Sequence, residues 1–72
     1  MEKNGKGREY KYDQLIFIGD YLNGKRNGKV KEYNYFNNII FEGEYLNGER
    51  NGKGKEYDYN GKILYKGEYL NG

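Results

Sequence analysis

The chain contains no cysteine, histidine, proline, tryptophan, alanine, serine or threonine. Without cysteine there is no disulfide framework and no thiolate, and without cysteine or histidine the usual zinc and copper ligand sets cannot be assembled. The missing serine, threonine and cysteine remove the common nucleophiles, and the missing histidine removes the base that activates them. Any catalysis would fall to Asp, Glu, Lys, Arg or Tyr, which a loop-rich chain of 72 residues encloses too little to shift in pKa. The expectation is a protein that is not an enzyme and takes no cofactor. No run approaches the ~18 apolar residues of a membrane span, and no apolar leader follows Met1, so the chain reads as soluble and cytoplasmic. The same absences remove every N-glycosylation acceptor and leave tyrosine as the phosphorylation target.

What is present is concentrated in few residue types. Asn, Lys, Gly and Tyr supply 42 of 72 residues, a bias that raises low-complexity disorder, but 18% aromatic residues argue for a packed structure. The length allows one small domain, spanning residues 1–72. Within it the chain repeats itself. Phe17-Ile18-Gly19-Asp20-Tyr21-Leu22-Asn23-Gly24 recurs 24 positions on from Phe41 to Gly48, and again from Tyr65 to Gly72. A second block, Asn27 to Tyr35, recurs 24 positions later as Asn51 to Tyr59 and 23 positions earlier as Asn4 to Tyr12. The missing residue falls between Tyr12 and the next apolar start, in a turn, where length changes are tolerated.

Each block alternates with period two and is bounded by Asn-Gly or another Asn/Asp/Gly cluster, the pattern of strand, turn, strand. Tyrosines two apart, as at Tyr10 and Tyr12, belong to a strand, and the frequent glycines leave no window for a helix. The fold class is therefore all-β, a single-layer antiparallel meander of six strands over 6–12, 15–22, 29–35, 39–46, 53–59 and 63–70. Six-residue loops, Asn23–Gly28 and Asn47–Gly52, alternate with tight turns.

The framework running from Phe41 through Gly43, Tyr45, Gly48, Gly52 and Gly54 to Tyr57 and Tyr59 closely resembles the MORN repeat, the membrane occupation and recognition nexus. The likeness covers nearly the whole chain from Asn4 onward, with Val30 standing where the later hairpin has Gly54. It implies an elongated twisted sheet with one hairpin per repeat and a binding or scaffolding role. Partners implied by the family are other proteins, copies of itself and anionic phospholipids, with a peripheral place at a membrane or the cytoskeleton.

Alternation assigns side chains to faces. With the tight turns holding phase, one face collects Tyr10, Tyr12, Phe17, Tyr21, Tyr33, Tyr35, Phe41, Tyr45, Tyr57, Tyr59, Tyr65 and Tyr69, rimmed by Lys6, Arg8, Lys29, Lys31, Lys53 and Lys55. The opposite face carries Glu9, Asp20, Glu32, Glu42, Glu44, Glu56, Asp58 and Glu68 with Lys11 and Lys66. The structural explanation is that lysine stems cover rings while the acidic face is solvated. The functional one is a groove, centred on Tyr21, Tyr33, Phe41, Tyr45, Tyr57 and Tyr65, that receives a protein segment, with anionic phospholipid headgroups as the alternative ligand. A bulge at Gly52 or Gly54 would flip Lys53 and weaken this division. Single-stranded nucleic acid, which stacks on aromatics beside basic residues, is the weakest of the three ligands because the repeat framework already accounts for the rings. Gly52-Lys53-Gly54-Lys55 lacks the spacing and helix of a phosphate loop, and Glu42 with Glu44 lacks the pocket a glycosidase needs.

The chain opens with the second strand of one repeat and closes with the first strand of another, so both terminal hairpins are split. A single sheet without a covering layer leaves its aromatic face partly wet. Both features lead to an expectation of self-association, first as a homodimer through open edge strands or stacked faces, with a head-to-tail contact as the variant that would complete the hairpins; the alternative reading is a fragment cut from a longer array.

Overall fold

In the computed structural model, which describes residues 4–70, six strands follow one another across one antiparallel sheet in chain order. They are β1 (Gly5–Lys11), β2 (Gln14–Leu22), β3 (Lys25–Tyr33), β4 (Ile39–Leu46), β5 (Glu49–Tyr57) and β6 (Ile63–Tyr69). The molecule measures 38 × 30 × 14 Å, the proportions of one twisted layer. The hairpin meander expected from the repeats is the observed architecture, and no described residue is helical.

Its connections are tighter on one side than the sequence suggested. Asn23-Gly24 and Asn47-Gly48 are two-residue turns with both residues at positive φ, 53° and 80° in the first and 51° and 89° in the second. Such turns match the twist of the strands they join. The expected six-residue loops are thus two-residue turns, and β3 and β5 begin at Lys25 and Glu49. At the other end of the sheet the strands stop earlier than predicted, at Tyr33 and Tyr57, because an Asx turn takes over. Asn34 Oδ1 accepts the amides of Phe36 (2.9 Å) and Asn38 (3.0 Å), and Asp58 Oδ1 accepts those of Asn60 (2.8 Å) and Lys62 (2.9 Å). In the shortened first repeat Tyr12-Asp13 makes the turn instead, with φ of 50° and 64°. The hairpin that Tyr69 to Gly72 would form with residues 1–5 of another copy involves residues 1–3 and 71–72, which lie outside the described residues.

Register is interrupted at repeat-equivalent places. Glu9 pairs with Phe17 but Tyr10 with Leu15, so Ile16 is an extra residue in β2. Ile40 and Leu64 are the extra residues in β4 and β6, since Glu32 pairs with Phe41 while Tyr33 pairs with Ile39, and Glu56 pairs with Tyr65 while Tyr57 pairs with Ile63. One extra residue turns a strand over relative to its neighbour. A wider bulge sits on β3 and β5. Gly19 pairs with Val30 and Tyr21 with Arg26, and likewise Gly43 with Gly54 and Tyr45 with Arg50. Gly52 supplies the φ of +88° that this bulge requires.

Because of the single-residue bulges, Phe17, Tyr21, Phe41, Tyr45, Tyr65 and Tyr69 share a face with Glu9, Glu32 and Glu56, and not with the lysines. This is the core. Phe17 and Phe41 are wholly buried, and Tyr21, Val30 and Tyr45 nearly so. The rings form one edge-to-face chain, Tyr21–Phe17–Tyr45–Phe41–Tyr69–Tyr65, with centroids 5.3–6.1 Å apart. They lie against backbone where side chains are missing: a Cβ on Gly54 would sit 2.9 Å from both Phe41 and Tyr69.

Candidate functional site

The ring face closes itself. Arg26 lays its guanidinium 4.0 Å from the centre of Phe17, and Arg50 does the same over Phe41. Each arginine is held there by a carboxylate from the preceding odd-numbered strand. Arg26 Nε donates to Glu9 Oε2 at 2.8 Å and its Nη2 to Glu9 Oε1 at 2.9 Å; Arg50 reaches Glu32 at 3.3 and 3.4 Å by the same fork. Planar, bidentate and stacked contacts of this kind suit arginine and not lysine. Tyrosine hydroxyls complete the pattern: Tyr45 donates to Glu32 at 2.6 Å, Tyr21 to Glu9 and Tyr69 to Glu56. Burial first, then the hydrogen bond to the carboxylate, pushes Tyr21 and Tyr69 up to about 12 and raises Tyr45. Hydrogen bonding to Glu9 raises Arg26 further still. Over Phe17 and Phe41 the expected partly wet aromatic groove is therefore a dry layer covered by its own charged lid, while Tyr65 stays exposed, and the phenols of Tyr21, Tyr45 and Tyr69 stay neutral at any physiological pH.

The other face carries the basic residues, with three of the tyrosines. Tyr10, Tyr33 and Tyr57 each follow the bulge-bearing pairs and stand with Lys6 and Arg8, Lys29 and Lys31, and Lys53 and Lys55 respectively. Within each of these strands the sequence pattern grouped tyrosines and cations correctly. The even-numbered strands contribute Ile18, Asp20, Glu42, Glu44, Lys66 and Glu68 to the same face, so the division into a basic and an acidic side does not exist. Tyr12, Tyr35 and Tyr59 belong to neither face. They lie in the connections at one end of the sheet, 78%, 53% and 80% exposed, and Tyr12 stacks on Tyr35 with centroids 6.2 Å apart.

Two adjoining depressions run along this lysine face. One, of about 540 Å³, is lined by Lys6, Ile18, Lys29, Lys31, Tyr33 and Glu44 among others; the second, of about 530 Å³, by Lys53, Lys55, Lys66 and Glu68. Glu42 and Lys53 border both. Glu42 is engaged, accepting the Tyr57 hydroxyl at 3.0 Å. Most charges across the strands alternate in sign: Lys6 opposite Asp20, Lys29 opposite Glu44, Lys31 opposite Glu42, Lys53 opposite Glu68. Lys55 opposite Lys66 is the exception. Like charges facing one another across a sheet are destabilising, and although Glu42 faces Lys55 from β4, three lysines against Glu42 and Glu68 leave the second depression with one excess positive charge.

Sequence reasoning did not find Arg26 and Arg50, because they stood inside the expected loops. A signal was available: the chain has three arginines among 13 cations, and two of the three occupy repeat-equivalent positions 24 apart. Among the described residues no helix is long and apolar enough to cross a membrane.

Comparison with curated proteins and with solved structures returns no match. A family model described as MORN repeat matches residues 17–29 and 41–63. The two stretches begin at the two fully buried rings, and each runs through the arginine that covers its ring. MORN repeats are in general interaction modules for proteins and membrane lipids, without catalysis. With half of its residues matched at two places one repeat apart, the chain belongs to the MORN repeat family.

Proposed function

We propose that this chain is a docking and scaffolding module whose lysine face receives an extended acidic segment of a partner protein. The observation that carries the reading is the facing pair Lys55 and Lys66 beside Lys53, a cluster of like charges that an incoming carboxylate relieves. Ile18 and Tyr33, in the adjoining depression, offer the apolar contact that fixes the segment's position. The face of Phe41 and Tyr45 serves instead to hold the sheet together, since both are buried beneath the arginine and glutamate side chains.

The test is fluorescence anisotropy with a labelled peptide of alternating leucine and glutamate, against the same peptide with glutamine for glutamate. The acidic peptide binds and the neutral one does not. Lys55→Glu with Lys66→Glu abolishes binding while keeping the strand signal by circular dichroism, and the unfolding midpoint falls because the two new carboxylates face one another and one of them faces Glu42. Binding that survives the double reversal overturns the reading. Anionic phospholipid is the second reading, favoured by the excess of cations over carboxylates on the same face. It predicts that vesicles containing phosphatidylserine outcompete the acidic peptide, with attachment falling steeply as salt rises.

A further inference from the structure

The tyrosines divide by what they touch. Tyr21, Tyr45, Tyr57 and Tyr69 donate their hydroxyls to glutamate side chains, and Tyr65 donates to the carbonyl of Glu68. Tyr12, Tyr35 and Tyr59 project from the connections at one end of the sheet and are all exposed. Among these three, Tyr12 and Tyr35 lie parallel, with 7° between their planes and 6.2 Å between centroids. Every other ring pair among the described residues meets edge to face, at 69–82°. Tyr12 reaches its place from a turn in which its own φ is 50°, a conformation that a bulky side chain adopts at a cost. Asn-Gly makes the two-residue turns at the other end of the sheet without that cost. The strain and the stacked contact fall on the same residue.

We propose that Tyr12 and Tyr35 are the site of an oxidative cross-link, a dityrosine that joins the β1–β2 connection to the β3–β4 connection. Hydrogen peroxide, activated by a peroxidase, takes one electron and one proton from each phenol and is reduced to two waters. The two phenoxyl radicals couple through a carbon–carbon bond between ring carbons next to the oxygens. Each of those carbons then loses its hydrogen as a proton while each oxygen regains one, so the product is lighter than the parent by two hydrogen atoms. The stacked pair supplies the encounter that separate tyrosines must find by diffusion. Exposure gives the oxidant access, and the chain has neither Cys nor Trp to compete for it. Tyr65 and Tyr69 are closer, at 5.3 Å, but they meet at 77° with both hydroxyls engaged. Tyr59 has no ring stacked on it among the described residues, so it couples only with a second molecule. The bond from Tyr12 to Tyr35 closes a covalent loop around β2 and β3, and a loop of that kind stabilises the fold by restricting the unfolded chain.

The test treats the full chain, at high dilution, with hydrogen peroxide and a haem peroxidase, and follows dityrosine by its blue fluorescence. The expected product keeps the mass of one chain, 8.5 kDa, less two hydrogen atoms. Cleavage after lysine then leaves residues 12–25 joined to residues 32–53, and fragmentation in the mass spectrometer places the bond on Tyr12 and Tyr35. Tyr12→Phe and Tyr35→Phe keep a ring in place and the strand signal by circular dichroism, and each loses the one-chain product, whereas Tyr59→Phe retains it. The purified product unfolds at a higher urea concentration than the untreated chain. Dityrosine found only in species of two or more chains, a one-chain bond between other tyrosines, a product that survives Tyr12→Phe or Tyr35→Phe, or no dityrosine at all overturns the proposal.

Discussion

Three rings occupy equivalent places in the repeat, and their burial sets a graded experiment. Phe17 and Phe41 are fully buried under an arginine, whereas Tyr65 keeps 44% of its surface exposed. Replacing a fully buried phenylalanine by alanine costs ~3–5 kcal/mol, and the lost contact with the guanidinium adds ~0.5–2 kcal/mol. At 44% exposure Tyr65→Ala removes a little over half the buried area and no stacked arginine, giving about half the aromatic-to-alanine cost, ~1.5–2.5 kcal/mol. A chain of 72 residues at ~0.05–0.15 kcal/mol per residue has about 4–11 kcal/mol in total. Phe41→Ala therefore uses up most of the stability, and Phe41→Leu, which keeps most of the volume, is the companion variant. Urea unfolding followed by tyrosine fluorescence and by far-ultraviolet circular dichroism gives the order Phe41→Ala, close to Phe17→Ala, well above Tyr65→Ala. Equal losses at all three positions, or less than ~1 kcal/mol at Phe41, would refute the claim that the ring face is the core and that its arginines close it.

Two further outcomes follow from the same geometry. Tyr21 and Tyr69 hold their protons more tightly folded than unfolded, so their contribution is complete below pH 10 and lost as pH rises towards about 12; the urea midpoint falls across that window, and falls less in Tyr21→Phe or Tyr69→Phe. Gly43→Ala drives a Cβ to 2.7 Å from the backbone of Gly54 and of Lys53 and costs ~2–3 kcal/mol, whereas Gly48→Ala meets no atom within 4 Å and costs ~1 kcal/mol from its positive φ alone; equal midpoints in thermal unfolding would contradict the close packing.

The number and order of the strands were legible because Asn-Gly turns and period-two alternation are local signals, read without knowing what lies opposite. Which strand faces share a side was not, because phase between strands depends on where the extra residue of a bulge is placed. The clue lay in Leu15-Ile16-Phe17, Ile39-Ile40-Phe41 and Ile63-Leu64-Tyr65, apolar triplets that cannot alternate across a half-buried sheet and whose middle residue is the bulge. Reading them as plain strand starts put Tyr33 opposite Phe41 where Glu32 stands, and the same slip in each repeat moved Lys6, Arg8, Lys29, Lys31, Lys53 and Lys55 to the ring side, while Lys66 was placed correctly away from the rings. The candidate site kept its cations and Tyr10, Tyr33 and Tyr57, and lost the rings that the fold uses for itself. Arg26 and Arg50 escaped notice for a related reason, since a charge beside Asn-Gly looks like loop until the strand is seen to start at Lys25 or Glu49.

The reach of the arginines decides how the sheet comes apart. Glu32 on β3 takes a hydroxyl from β4 and a guanidinium from β5, and Arg50 also approaches Glu56, so the polar lid ties together strands that are not neighbours. No hairpin owns a complete core. In a linear array of repeats, stability divides into what each unit holds alone and what it gains from the next, and here nearly all of it lies in the second part. Peeling off a terminal hairpin thus strips the cover from a ring in the hairpin left behind, which raises the free energy of the partly opened state. The six strands melt in one steep transition, and an array lengthened by further repeats becomes more stable with each interface added.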